Sequence, residues 1–185
     1  VIGFSELLRS RNVGDAVSAE DVDYAETVID GGRELLDLID KLLMFANTEA
    51  GTTRVTEGLS ELDPLMRHVL RRAEPAAVAR SVTLDARLGP DQVIIRIDDL
   101  LFRTALSHIL SNAIKFTEAG AIRVGVNMER GSGGVRGGRV LVHVQDTGIG
   151  ISPEFLARLF DPFTQESSGT TRVYGGSGLG LSISR

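Results

Sequence analysis

Between Tyr24 and Phe45 the apolar side of the sequence steps by four and three, through Tyr24, Val28, Gly31, Leu35, Leu38, Leu42 and Phe45. That spacing is a heptad seam, and it dictates a long amphipathic helix. Just before it, SAED at 18–21 reads as a capping box, with Ser18 as N-cap and Asp21, a shorter acid than the usual Glu, three residues on. Gly31 and Gly32 weaken the middle of the helix by about 1 kcal/mol each relative to Ala, which allows a local bend or a close helix approach. Val1, Phe4 and Leu8 give a shorter stripe of the same kind, and the Gly-containing loop around 11–17 joins the two stretches into a hairpin. A single hairpin cannot bury both seams. Pairing of two copies into a four-helix bundle is the natural solution, with packing of the hairpin on the rest of the chain as the alternative.

After Gly51 the character changes to mixed α and β. TRVTE at 53–57 is a strand candidate, 61–79 is a helix that Pro75 should bend or end early, and SVTLDARL and QVIIRI alternate as strands. Residues 98–117 predict a long helix. AIRVGVNM and RVLVHVQD read as two strands around the flexible GSGGVRGG, and PEFLARLF at 153–160 as a short helix with Pro153 in its first turn. Strands interleaved with helices on one face predict an α/β sandwich with a mixed sheet, so the fold class is α+β. Residues 161–177 lack any period, and a structureless stretch of that length is usually functional.

Composition narrows the chemistry. A net charge of −5 and a pI near 5.2 argue against nucleic acid as the main partner, so any phosphate site must be local. Zero cysteines remove disulfides, thiolate metal sites and thiol nucleophiles. No apolar stretch approaches the ~20 residues a membrane span needs, and VIGFSELLRS lacks the basic start of a signal peptide, so no direct membrane contact is expected of these residues.

Three segments remain as candidates. In SHILSNAIKFT, His108, Asn112 and Lys115 share one helical face while Phe102, Leu106, Ile109 and Ala113 share another. Such a polar stripe is either a solvated face or a site, with an amide oxygen for Mg²⁺ and an ammonium for phosphate. Lys115 is one of only two lysines, the other being Lys41, in a chain that otherwise uses Arg. DTGIGI at 146–151 places Asp146 at a strand end, with Gly148 and Gly150 letting a flat ligand approach the backbone; a tight turn is the alternative. YGGSGLGL then puts four glycines within residues 175–180, before a run that opens a helix. Glycine turns at helix N-termini bind anions.

Asn-x-x-Lys on a helix, D-x-G-x-G after a strand, Phe160-x-x-Phe163, and G-x-G-x-G before a helix form an ordered set. It strongly resembles the catalytic, ATP-binding domain of sensor histidine kinases, of the Bergerat-type fold shared with gyrase and Hsp90-type ATPases. YAETVIDGGRELLDLIDKLLMFANTEAG looks like the second helix of the family's dimerisation and phosphotransfer hairpin, and VIGFSELL like the continuation of its first. The resemblance implies two domains, a partial hairpin over 1–50 and a catalytic domain over 51–185 that stops short of the family's closing elements.

By the same resemblance Asn112 is expected to hold Mg²⁺ and Lys115 to contact phosphate. Phe116 is expected beside adenine, and Asp146 to accept the adenine amino hydrogens in a pocket shaped by Gly148 and Gly150. Phe160 and Phe163 should anchor an ATP lid over 164–176 that carries Arg172 near the phosphates. Gly176, Gly178, Leu179 and Gly180 form the phosphate loop. His108 stands where the family often has Asn, with a metal-shell or water-positioning role in view, and Val173 replaces a frequently basic lid residue. The family's phosphoacceptor histidine precedes the segment matching Val1, and His68 and His143 do not substitute for it.

The implied function is transfer of the ATP γ-phosphoryl to that upstream histidine, for relay to a response-regulator aspartate. A homodimer, a receiver-domain partner, the cofactors ATP and Mg²⁺ and a cytoplasmic location follow, any membrane tether lying upstream. This chain by itself is not expected to autophosphorylate. The lid sequence looks most like that of hybrid kinases. Alternatives are a nucleotide-sensing dimerisation module without catalysis and, less favoured because His108 stands where an activating acid would be needed, an ATPase of the gyrase or Hsp90 kind.

Overall fold

The computed structural model describes residues 18–89, 93–130, 138–165 and 178–184, and the chain divides into two compact units between Gly51 and Thr52. The stripe at Val1, Phe4 and Leu8, the loop at 11–17 and the GSGGVRGG segment lie outside the described residues, apart from the last glycine of that segment.

In the first unit α1 runs unbroken from Ala19 to Glu49, through Gly31 and Gly32. Its start is the predicted capping box: the Asp21 amide donates to Ser18 Oγ (3.3 Å) and the Ser18 amide to Asp21 Oδ2 (2.7 Å). None of its described residues is buried within the chain, and Leu35, Leu38 and Leu42 of the seam are 56%, 43% and 46% exposed.

The second unit builds its core from two helices and a sheet. Its elements are β1 (Gly58–Glu61), α2 (Leu62–Ala79), β2 (Val82–Arg87), β3 (Ile94–Ile97), α3 (Asp99–Phe116), β4 (Gly120–Arg130), β5 (Gly138–Gln145), α4 (Pro153–Leu156) and α5 (Gly180–Ile183). β1 pairs antiparallel with β3; β4 lies between β2, which is parallel to it, and β5, which is antiparallel. The sheet is therefore mixed, as the alternation of strands and helices predicts. Period-two patterning sends Val82, Ile122 and Val124 inward against Met66, Val69 and Leu70 of α2 and Leu106, Leu110, Ala113 and Ile114 of α3. Leu110 and Ile114, absent from the apolar stripe read in the sequence, are 0% and 4% exposed, whereas Ile109 is half-buried.

Two local expectations are corrected and one, at Pro75, is narrowed. TRVTE is not a strand: β1 begins at Gly58, opposite Ile97, where β3 ends. Asp98 there turns the chain into α3, and its carboxylate accepts the Thr56 amide (2.7 Å), so the backbone of 52–57 has no strand to pair with. Pro75 does not end α2, which continues to Ala79 because Ala77, 1% exposed, holds its last turn in the core. PEFLARLF forms a helix only over Pro153–Leu156, capped by Ser152. It then tightens into i→i−3 turns, Arg158 donating to Phe155 O (2.9 Å) and Asp161 to Arg158 O (3.0 Å).

Candidate functional site

The polar stripe lies on the C-terminal half of α3, where His108, Asn112, Lys115 and Phe116 are all half-buried. One side of the helix is committed to the core through Leu106, Leu110, Ala113 and Ile114, which fixes the stripe toward the loops. The Lys115 ammonium sits 4.9 Å from the centroid of the Phe116 ring, a cation–π distance.

The DTGIG turn docks onto the end of this helix. A side chain on Gly148 would overlap the Phe116 carbonyl oxygen and stand 2.9 Å from its carbon, so the close approach requires glycine. The Ile149 amide donates to that same oxygen (3.2 Å). Asp146, exposed just after β5, accepts the Gly148 amide through Oδ1 (2.9 Å), which shapes the turn. Gly150 has φ +73°, a left-handed conformation that side chains resist.

The third segment enters through two more glycines. Gly178, at φ +68°, presses on the Phe163 backbone, where a Cβ would lie 2.9 Å from the Phe163 carbonyl carbon. Phe163 itself has φ +58°, rare for an aromatic residue. Phe163 is 61% and Phe160 43% exposed, and the Gly178 contact runs through the Phe163 backbone. Leu179 is fully buried, and a Cβ on Gly180 would meet the His108 ring carbons at 3.6 Å, in ordinary contact. Residues 178–184 thus rest on α3 at His108. Arg172 and Gly176, with most of the expected lid, lie outside the described residues.

Three groups that sequence reasoning missed complete the assembly. Thr117, fully buried, donates its hydroxyl to Ala113 O (2.7 Å), and the Thr147 hydroxyl accepts the Ala121 amide (3.1 Å), tying the turn to β4. Arg80 donates to the Lys115 carbonyl (3.2 Å). The two threonines stand next to motif residues, which was a readable signal; Arg80 had none. A groove bounded by Ala77, Val78 and Val82 touches none of the motif residues. Among the described residues no cluster of three or more His, Cys, Asp or Glu could hold a metal by itself, and no helix is long and apolar enough to cross a membrane.

Residues 97–185 match the family described as histidine kinase-, DNA gyrase B-, and HSP90-like ATPase. The sensor histidine kinase AruS of Pseudomonas aeruginosa is 37% identical over 188 residues, covering 100% of this chain and 18% of that protein. The autoinducer 2 sensor kinase/phosphatase LuxQ of Vibrio cholerae is 33% identical over 184 residues, covering 99% and 21%. The chain therefore spans about one fifth of the length of these curated relatives. Among solved structures, full-length ShkA in complex with AMPPNP superposes with a TM-score of 0.73 at 30% identity, over 99% of this chain and 36% of that one. The Acinetobacter baumannii histidine kinase AdeS shares the fold, with a TM-score of 0.69 at 19% identity over 99% of this chain and 78% of that one. Residues 97–185 are thus a domain of the histidine kinase-, gyrase- and HSP90-like ATPase family, and the chain along its whole length is similar to a segment of sensor histidine kinases.

Proposed function

We propose that this chain is the ATP-binding catalytic segment of such a kinase, passing the γ-phosphoryl group to a histidine outside it. The observation that carries the reading is that two glycine segments meet the C-terminal half of α3 and one of them also meets the Phe160–Phe163 segment. Gly148 meets Phe116, Gly178 meets Phe163, and Gly180 meets His108. Glycine turns leading into a helix, as at Gly178 and Gly180, are the kind of backbone that binds a polyanion.

In this reading Asp146 accepts the adenine amino hydrogens with the oxygen that Gly148 does not use, beside Phe116, in a pocket shaped by Gly148 and Gly150. Lys115 contacts phosphate, the amides around Gly176, Gly178, Leu179 and Gly180 cradle it, and the lid over 164–176 brings Arg172 near. The contact with Gly180 supports His108 as the support of that loop. Asn112 offers one hard oxygen for Mg²⁺, and with no acidic cluster among the described residues the ion would share its remaining positions between phosphate oxygens and water, as Mg²⁺ commonly does. When bound, it would neutralise charge on the transferred group. The bond from Pγ to the β–γ bridging oxygen breaks, an N–P bond forms to an imidazole nitrogen, and ADP leaves. Relay to a response-regulator aspartate, a homodimer through a hairpin over 1–50, a catalytic domain over 51–185 and a cytoplasmic location complete the proposal.

The test supplies labelled ATP and a longer acceptor hairpin in trans. Acid-labile phosphate on that hairpin is expected, and none on His68, His108 or His143. ATP binding without transfer would favour the nucleotide-sensing module instead. Calorimetry with and without Mg²⁺ isolates the metal: Asn112→Ala should abolish the Mg²⁺-dependent part of ATP binding and leave the fold intact, and unchanged metal dependence would remove Asn112 from its assignment.

A further inference from the structure

The last turn of α3 delivers Lys115 and Phe116 to the site, yet helix ends are where carbonyls run out of intrahelical donors. Three of those carbonyls are taken by three different donors. Thr117 closes Ala113, the Ile149 amide closes Phe116, and Arg80 Nη2 reaches the Lys115 carbonyl at 3.2 Å from 35 residues away in sequence. Arg80 follows α2 directly, and its backbone is held in place. Its amide donates to Ala77 O (3.1 Å), the Ser81 amide donates to Val78 O (2.9 Å), and Ala77 is in the core. A guanidinium fixed at the carbonyl end of a helix also opposes the negative end of its dipole.

We propose that Arg80 is a positioning residue for nucleotide phosphate. By holding the Lys115 carbonyl it fixes the final turn of α3, and with it the direction in which the Lys115 ammonium leaves the helix. The inference rests on the reading of Lys115 as a phosphate contact. It requires that the effect of Arg80 pass through Lys115, which a residue that merely stabilises the fold would not do.

The experiment uses the full 185-residue chain and measures ATP and adenosine binding by calorimetry for the unmodified protein, Arg80→Ala, Arg80→Lys, Lys115→Ala and the double variant Arg80→Ala/Lys115→Ala. Removing one solvent-exposed, charge-assisted hydrogen bond should weaken ATP by roughly three- to tenfold while leaving adenosine unchanged. Arg80→Lys, which keeps the charge and one donor, should recover part of the loss, and Arg80→Ala should cost nothing further once Lys115 is Ala. Equal losses in both backgrounds, or equal losses for ATP and adenosine, would overturn the proposal. Amide hydrogen exchange without nucleotide reads the contact by itself: the Ile149 amide and the last turn of α3 should exchange faster in Arg80→Ala. If exchange quickens but the unmodified chain binds no ATP, the nucleotide reading has failed and the phosphate role falls with it. Unchanged exchange would show that the Arg80 contact holds nothing.

Discussion

Gly148 sits where no side chain fits, while Gly125, in the middle of β4, faces open space. The two make a controlled pair. Gly148→Ala forces the 146–150 turn away from α3 and should destabilise the fold by about 1–3 kcal/mol, the usual cost of overpacking. Gly125→Ala, with no contact within 4 Å and no positive φ, should be neutral or stabilising by about 0.4–1 kcal/mol. Urea denaturation checks both. Asp146→Asn tests base recognition at the same turn. The amide oxygen can still accept from Gly148, but the NH₂ group would face the adenine amine, donor against donor. Hydrogen bonds to a charged acceptor are worth about 1.5–3 kcal/mol, so ATP affinity should fall by more than one neutral hydrogen bond accounts for. GTP, with an acceptor at that position of the ring, should lose less or gain. Equal losses for ATP and GTP would mean that Asp146 does not read the base.

Among the elements, α3 depends most on what precedes it. Asp98 accepts the Leu100 and Leu101 amides (both 3.1 Å) and the Thr56 amide, and these bonds, Thr56 first, hold its carboxyl below the ordinary aspartate range. A depressed folded-state pKa means stability that is present above the unfolded value and lost as pH falls through the folded one. Asp98→Asn should therefore lower the melting temperature at neutral pH, and the gap from the unmodified chain should narrow as pH drops below the ordinary carboxylate range. A constant gap would point to lost geometry rather than lost charge. The same residue explains an error of sequence reading: TRVTE has the composition of a strand, but a strand exists only where a partner runs alongside, and β3 ends at Ile97. At Pro75 the early end of α2, one of two outcomes the sequence allows, does not occur, since burial of Ala77 outweighs a missing donor. Strands and helices with strong periods, such as α1, α3, β4 and β5, were legible within a residue or two because their pattern and their partners agree.

For the molecule as a whole, the heptad seam of α1 is an apolar stripe left unburied among the described residues, with Leu35, Leu38 and Leu42 all exposed. Self-association in solution is the expected outcome, and Leu38→Glu with Leu42→Glu should shift sedimentation toward the monomer while leaving nucleotide affinity unchanged. The motif segments that make up the candidate site are legible as patterns because each carries its own spacing. Their meeting points are not, because glycine contacts and the Arg80 bond join residues far apart in sequence without leaving a local pattern. The sheet carries one more implication. β2 pairs in parallel with β4, and Val82 must wait for Gly120 before its ladder can form. During synthesis from the N-terminus, α2 can meet α3 early, but β2 stays an unpaired strand until β4 emerges, while β4 and β5 can close on each other at once. Completion of the sheet thus lags behind manufacture of its first strand: the bare edge of β2 stays vulnerable to aggregation and to proteases until β4 arrives.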